Sequence, residues 1–137
     1  MGTPPASDAE TLRRMRRQRR RDTRAELVVR TLLHRMGRRF RLGNRDLPGS
    51  PDAANRTAKW AVFVHGCYWH QHPGCPRATL PKRNRKFWEE KFRANRLRDE
   101  RVEARLREAG FTVVVIWECQ VNDLASLEGR LAMVLPD

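Results

Sequence analysis

Trp60-Ala61-Val62-Phe63-Val64-His65-Gly66-Cys67-Tyr68-Trp69-His70-Gln71-His72-Pro73-Gly74-Cys75 changes character near its middle. Its first five residues are continuously apolar, with β-branched and aromatic side chains, the pattern of a strand buried in a core. The remainder holds three of the four histidines, two of the three cysteines and an adjacent Tyr-Trp pair with no obvious core partner. A core strand that runs into a loop carrying metal ligands, proton carriers and aromatics places chemistry at the end of a sheet.

Downstream of this loop, Thr79 to Arg85 reads as a basic loop, and Arg85 or Lys86 to Ala109 as a long charged helix stopped by Gly110. The helix's best apolar stripe is Trp88, Phe92, Val102, Leu106 and Ala109, interrupted by Asn95 and Asp99. Phe111 to Trp117 reads as the strongest strand, buried on both faces, and Glu118-Cys119 ends it. Leu124 to Leu135 makes a terminal helix.

Upstream, Thr23-Arg24-Ala25-Glu26 has capping-box spacing, and Leu27, Val28, Thr31, Leu32, His34 and Met36 trail toward Gly37, which predicts a helix over 24–36. Glu26 on this reading is a cap. Phe40-Arg41-Leu42 suggests a short strand, residues 43–52 a turn-rich segment, and Ala53-Ala54-Asn55 is a poor strand by propensity. The order predicts a small α/β domain with helices flanking a mixed sheet.

Over 137 residues, 29 Lys+Arg stand against 16 Asp+Glu, a net charge of +13. That length suits one domain, and an arginine-dominated surplus suits phosphate contacts, hence a nucleic-acid partner. Residues 1–11 read as a disordered tail. Seven of the nine positions from Arg13 to Arg21 are arginine. They include Arg16, Arg17, Arg20 and Arg21, and read as a basic arm (12–22) laid along phosphates. No secretory signal or membrane span is visible, which predicts a cytoplasmic protein. Three cysteines do not pair off into a disulfide framework and point instead to metal.

Cys67, His72 and Cys75, with Cys119 at the end of the strand expected to neighbour 60–64, make a Cys3His set suited to structural zinc. His70 is an alternative ligand to His72. His65 and His70 are then acid/base candidates. Asp52, at a strand start, with the backbone carbonyl of Val64, offers a partial oxygen shell for Mg2+ that could activate water; taken alone, Asp52 reads first as a turn or cap aspartate. Tyr68, Trp69 and Trp88, with Lys91 nearby, could wedge into a base stack.

Taken together, P-G-S-P-D (48–52), F-V-H-G-C-Y-W-H (63–70), H-P-G-C (72–75), F-W-E-E-K (87–91), N-R-x-R-D (95–99), L-R-E-A-G-F (106–111) and V-I-W-E-C (115–119) resemble the very-short-patch-repair (Vsr-type) DNA mismatch endonucleases. The resemblance runs over about residues 12–120. It implies a fold related to the PD-(D/E)xK nucleases, with a structural zinc. It also implies a Mg2+-dependent enzyme that nicks duplex DNA 5′ of the thymine in a T:G mismatch, with mismatch-repair proteins and a repair polymerase as candidate partners. No apolar surface helix asks for a partner, which predicts a monomer. By position, Asp52 and Val64 match the Mg2+ ligands, His65 and His70 active-site positions, and Glu26 an acidic residue near the site. Cys67, His72, Cys75 and Cys119 match the zinc ligands, and Tyr68, Trp69 and Trp88 the aromatics that enter DNA. Tyr68 stands where phenylalanine is usual, and Ala53-Ala54-Asn55 where the family has an apolar strand. Alternative functions are a zinc-stapled DNA-binding module without catalysis, or a nuclease with a different target.

Overall fold

The apolar run 60–64 becomes the middle strand of a three-stranded sheet. In the computed structural model, which describes residues 23–136, the sheet order is β1 (Ala53–Asn55), β2 (Trp60–His65), β3 (Thr112–Trp117). β1 pairs antiparallel with β2, and β2 parallel with β3, so the sheet is mixed as expected. The tail 1–11 and the basic arm 12–22, with Arg16, Arg17, Arg20 and Arg21, lie outside the described residues.

Side chains alternate along β2, and the alternation sorts the core into two layers. Trp60 and Val62 face one side, where they meet Ala25, Val29, Leu32 and Leu33 of α1 (Arg24–Arg35), Val114 and Ile116 of β3, and Leu127 and Leu131 of α3 (Leu124–Val134). Ala61 and Phe63 face the other side, against Ala54, Phe111 and Leu106 of α2 (Arg85–Glu108). His65 shares the parity of Phe63 and therefore points toward α2. Asp52, two residues before Ala54, points the same way. Strand periodicity thus brings the carboxylate and the histidine to one face of the sheet.

Three sequence expectations need correction. The buried stripe of α1 is Ala25, Val29, Leu32 and Leu33, while Leu27 stays 48% exposed; the face that packs on the sheet and α3 decides the stripe, and Thr23 caps the helix as expected, its Oγ accepting from the Glu26 amide at 3.2 Å. Phe40-Arg41-Leu42 supplies a single bridge, Arg41 to Ala54, rather than a strand. β3 is a sheet edge with Thr112, Val113, Val115 and Trp117 only partly buried; the strand covered on both faces is β2. By contrast, Ala53-Ala54-Asn55 forms β1 despite its composition. Both alanines are buried, one in each layer, and β2 beside them supplies the larger side chains.

Candidate active site and metal centre

Asp52 is held by its neighbour strand: Oδ2 accepts the Val64 amide at 2.6 Å. With Val64, His65, His70, Arg98 and Asp99 it lines a cavity of about 280 Å³ between the end of the sheet and α2. Burial pushes the Asp52 carboxyl up to about 6 against the pull of the Val64 hydrogen bond, and the charge of Glu26 adds to the rise. A half-buried carboxylate with few compensating donors can accept a cation, and its oxygen chemistry fits a hard ion such as Mg2+.

His65 and His70 stack with ring centroids 3.9 Å apart and planes 4° from parallel. His65 is only 7% exposed; burial, then the adjacent His70, lower it to about 4, so it is a neutral imidazole near pH 7. His70 lies on a tight turn after β2, its amide donating to the Gly66 carbonyl at 3.1 Å. Its Nδ1 meets Asp99 Oδ2 at 2.6 Å. Burial raises the Asp99 carboxyl, but the hydrogen bond and charge of His70 outweigh it and hold it below the usual range. A carboxylate on Nδ1 selects the tautomer that leaves Nε2 as acceptor.

Asp99 was missed as a site residue by the sequence reading, although its position was a clue. It interrupts the apolar stripe of α2, where a carboxylate needs a partner. Asn95, the other interruption, donates to the Trp69 carbonyl at 3.4 Å. Glu118 was also missed: it accepts the Cys67 amide at 3.1 Å, anchoring the loop to the end of β3. Glu26 is both in the first turn of α1 and beside the site, lining a 130 Å³ cavity with Val64, Trp69, His70 and Glu118.

The cysteines gather separately. Sγ of Cys67, Cys75 and Cys119 and a ring nitrogen of His72 all lie within 4.8 Å of one another. His72, not His70, is the histidine of this group, and it stacks on Trp117 at 4.3 Å. Its Nδ1 is 3.7 Å from Cys67 Sγ and 3.5 Å from Cys119 Sγ. Around a tetrahedral ion with the usual zinc bond lengths, adjacent nitrogen and sulfur ligands stand about 3.6 Å apart, so the donor set and its spacing fit a four-coordinate ion. Burial, with the neighbouring sulfurs, pushes the Cys67 thiol up to about 12, the behaviour of a thiol that lacks a counter-charge.

The Tyr68-Trp69 pair, for which the sequence offered no obvious core partner, has one in Trp88 and Phe92 of the apolar stripe of α2. Tyr68 is 4% and Trp88 2% exposed, and with Phe92 they form a third core cluster against which Trp69 packs. Tyr68 meets Phe92 edge-on at 5.3 Å. Lys91 Nζ stands 6.0 Å from the Trp69 centroid and 5.5 Å from that of Trp88. For Tyr68 or Trp88 to enter a base stack, this cluster must first open. The Trp69 indole N–H is buried with no hydrogen-bond partner among the described residues.

A half-buried carboxylate beside a histidine–carboxylate pair, in an α/β domain of net charge +13, has the groups that a hydrolase acting on a polyanion calls for. Comparison narrows the class. A family model described as DNA mismatch endonuclease Vsr matches residues 7–77, and the chain belongs to that family. It is 47% identical over 121 residues to the type II nicking enzyme V.XorIIP of Xanthomonas oryzae, covering 88% of each chain. It is 38% identical to the type II nicking enzyme V.NmeAIP of Neisseria meningitidis, over 80% of this chain and 78% of that one. Against the DNA mismatch endonuclease Vsr of Escherichia coli the identity is 38%, over 74% of this chain and 65% of that one. No helix among the described residues is long and apolar enough to cross a membrane.

Proposed function

We propose that this protein is a Mg2+-dependent endonuclease that nicks duplex DNA 5′ of the thymine in a T:G mismatch. The observation that carries the reading is the Asp99–His70 pair facing the same cavity as Asp52, in a chain of the Vsr family. Asp52 and the Val64 carbonyl are the residues to hold the ion. Mg2+ bound there would supply positive charge against the phosphate and acidify a water. His70, its Nδ1 committed to Asp99, takes the proton of the attacking water on Nε2. His65, neutral, offers a hydrogen bond to the phosphate rather than a charge. Glu26 orders the far side of the site through α1.

The same reading assigns structural zinc to Cys67, His72, Cys75 and Cys119, where it pins the turn that presents His70. It assigns Trp69, with Tyr68 and Trp88 behind it, to the DNA beside the mismatch, and Lys91 to the adjacent phosphates. Residues 12–137 act as one PD-(D/E)xK-type unit whose arm, with Arg16, Arg17, Arg20 and Arg21, lies along the backbone. The ordered β1 strand behind Asp52 favours this reading over a DNA-binding module without catalysis.

The test is strand-resolved nicking of duplexes carrying one T:G pair in varied flanking sequences, with matched C:G duplexes as controls. Cutting of the T strand alone is expected. It should be abolished by Asp52→Asn and reduced by about 10²–10⁴-fold by Asp99→Asn, the range for a general base that loses its orientation. Equal cutting of matched DNA would remove the mismatch from the proposal; full activity of Asp52→Asn would remove the metal assignment.

A further inference from the structure

On α2 the charges are sorted by flank. With 3.6 residues per turn, Lys91, Arg98 and Arg105 recur every seven positions and so lie in a nearly straight line, with Arg101 beside it. Arg98, Arg101 and Arg105 are exposed and Lys91 is half-buried. Among the described residues, no carboxylate forms an ion pair with any of the four. Glu89, Glu100 and Glu103 fall on the opposite flank, where Glu89 pairs with Arg85 at 2.9 Å and Glu103 with Arg107 at 3.5 Å. Glu90 and Glu108 border the basic stripe at its two ends.

The stripe joins the two parts of the site. Lys91 stands beside the Trp69 and Trp88 rings, and Arg98 lines the cavity that holds Asp52, His65 and His70. Arg105 lies two turns beyond Arg98, just past Val102 and Glu103, which also line the cavity. From residue 91 to residue 105 the helix rises about 21 Å, long enough to accompany several successive phosphates of one strand.

We infer that this flank of α2 is a phosphate rail. Lys91, Arg98, Arg101 and Arg105 bind consecutive backbone phosphates and carry the strand from the aromatic cluster past the reaction cavity. The inference rests on the proposed action on DNA but not on mismatch specificity or on the chemical step. Contacts of this kind position DNA without reading its sequence, so the rail serves matched and mismatched duplexes alike.

Binding of full-length protein to T:G and matched C:G duplexes of equal length, titrated with NaCl in Mg2+-free buffer, tests it. Each lost phosphate contact lowers the slope of log affinity against log salt by about 0.9. Arg105→Gln should show that loss singly, and Arg101→Gln/Arg105→Gln should show about 1.8, on both duplexes. Arg93→Gln and Arg96→Gln, exposed on the opposite flank, are controls whose slopes should match the unmodified protein. Unchanged slopes in the rail variants would overturn the rail. So would equal losses in the flank controls, because the effect would then be one of net charge. Thermal melts within a degree or two of the parent exclude misfolding of these surface variants. If the rail slopes fall as expected but the parent nicks nothing, the rail stands and the endonuclease reading fails. If the parent nicks T:G duplex and the slopes do not move, the reverse holds.

Discussion

In the cavity, half-buried Asp52 and buried His65 titrate in opposite directions, and stability should record both. Asp52 is raised from 3.8 to about 6 on folding. The folded state therefore holds its proton more tightly, and the stability this contributes is full below pH 3.8 and lost as pH rises through 6. His65 is lowered from 6.5 to about 4; its contribution is full above 6.5 and lost as pH falls through 4. Each shift corresponds to about 3 kcal/mol. In the same window they cancel, so in Mg2+-free buffer these two groups leave stability nearly level between pH 4 and 6.5. Asp52→Asn keeps an oxygen for the Val64 amide and removes one of the two slopes. The variant should gain up to about 3 kcal/mol between pH 4 and 6.5 and exceed the parent at pH 7.5. Urea titrations at each pH read this directly. A variant no more stable than the parent at pH 7.5 would mean that Asp52 carries no desolvation penalty, and that its cavity is open to water.

Among the elements, the segment 48–52 decides where Asp52 stands, and one glycine sets its distance from α2. Gly49 has φ +71°, and a Cβ there would sit 2.3 Å from Val102 Cγ1 and 3.2 Å from Phe63. Gly49→Ala should therefore destabilise by about 1–3 kcal/mol through overpacking and the left-handed backbone, and lower nicking by displacing Asp52. Val102→Ala vacates the space, so the double variant should recover part of the stability lost in Gly49→Ala; a purely additive double-mutant cycle would assign the whole loss to backbone strain. The same contrast of local and long-range causes explains what was legible in the sequence. β2, α1, α2 and α3 could be read because each carries its own period or cap. The cysteine set was readable because metal ligand types and spacing are local. β1 was not, since Ala53-Ala54-Asn55 is a strand only because β2 lies beside it. Nor was the pairing of His70 with Asp99, 29 residues away, or the burial of Tyr68 under Phe92. These depend on how α2 lies over the loop, which no local pattern states. Asp99 nevertheless announced itself as a charge on an apolar stripe.

At the scale of the molecule, the Cys3His group connects what the sheet leaves loose. The segment from Gly66 to Cys75 has no strand partner, yet it carries His70 into the cavity and Tyr68 and Trp69 into the third core cluster. Its ties to the rest are the Glu118 bond to the Cys67 amide, the bonds of His70 to Asp99 and of Asn95 to the Trp69 carbonyl, the His72–Trp117 stack, the aromatic packing on α2, and whatever joins Cys67, His72 and Cys75 to Cys119. An ion at that centre would close a loop of more than forty residues between His72 and Cys119 and remove the need to bury unligated thiols. Because Cys67 is pushed up to about 12 when no ion is bound, loading must displace its proton, and affinity should weaken as pH falls. Purified protein should carry one zinc per chain. Stripping it with a strong chelator should cost several kcal/mol, and at about 3–5 °C per kcal/mol for a chain of this size the melting temperature should fall by roughly 10 °C. Cys119→Ser should melt near the stripped value and no longer respond to chelator. The first core layer, built from α1, α3 and the sheet, contains none of the four ligands, so helix content should largely survive while nicking is lost with the placement of His70. A protein free of zinc as purified, with a melting temperature indifferent to chelator, would leave the aromatic cluster, Glu118 and the bonds from Asp99 and Asn95 as the ties that hold the loop.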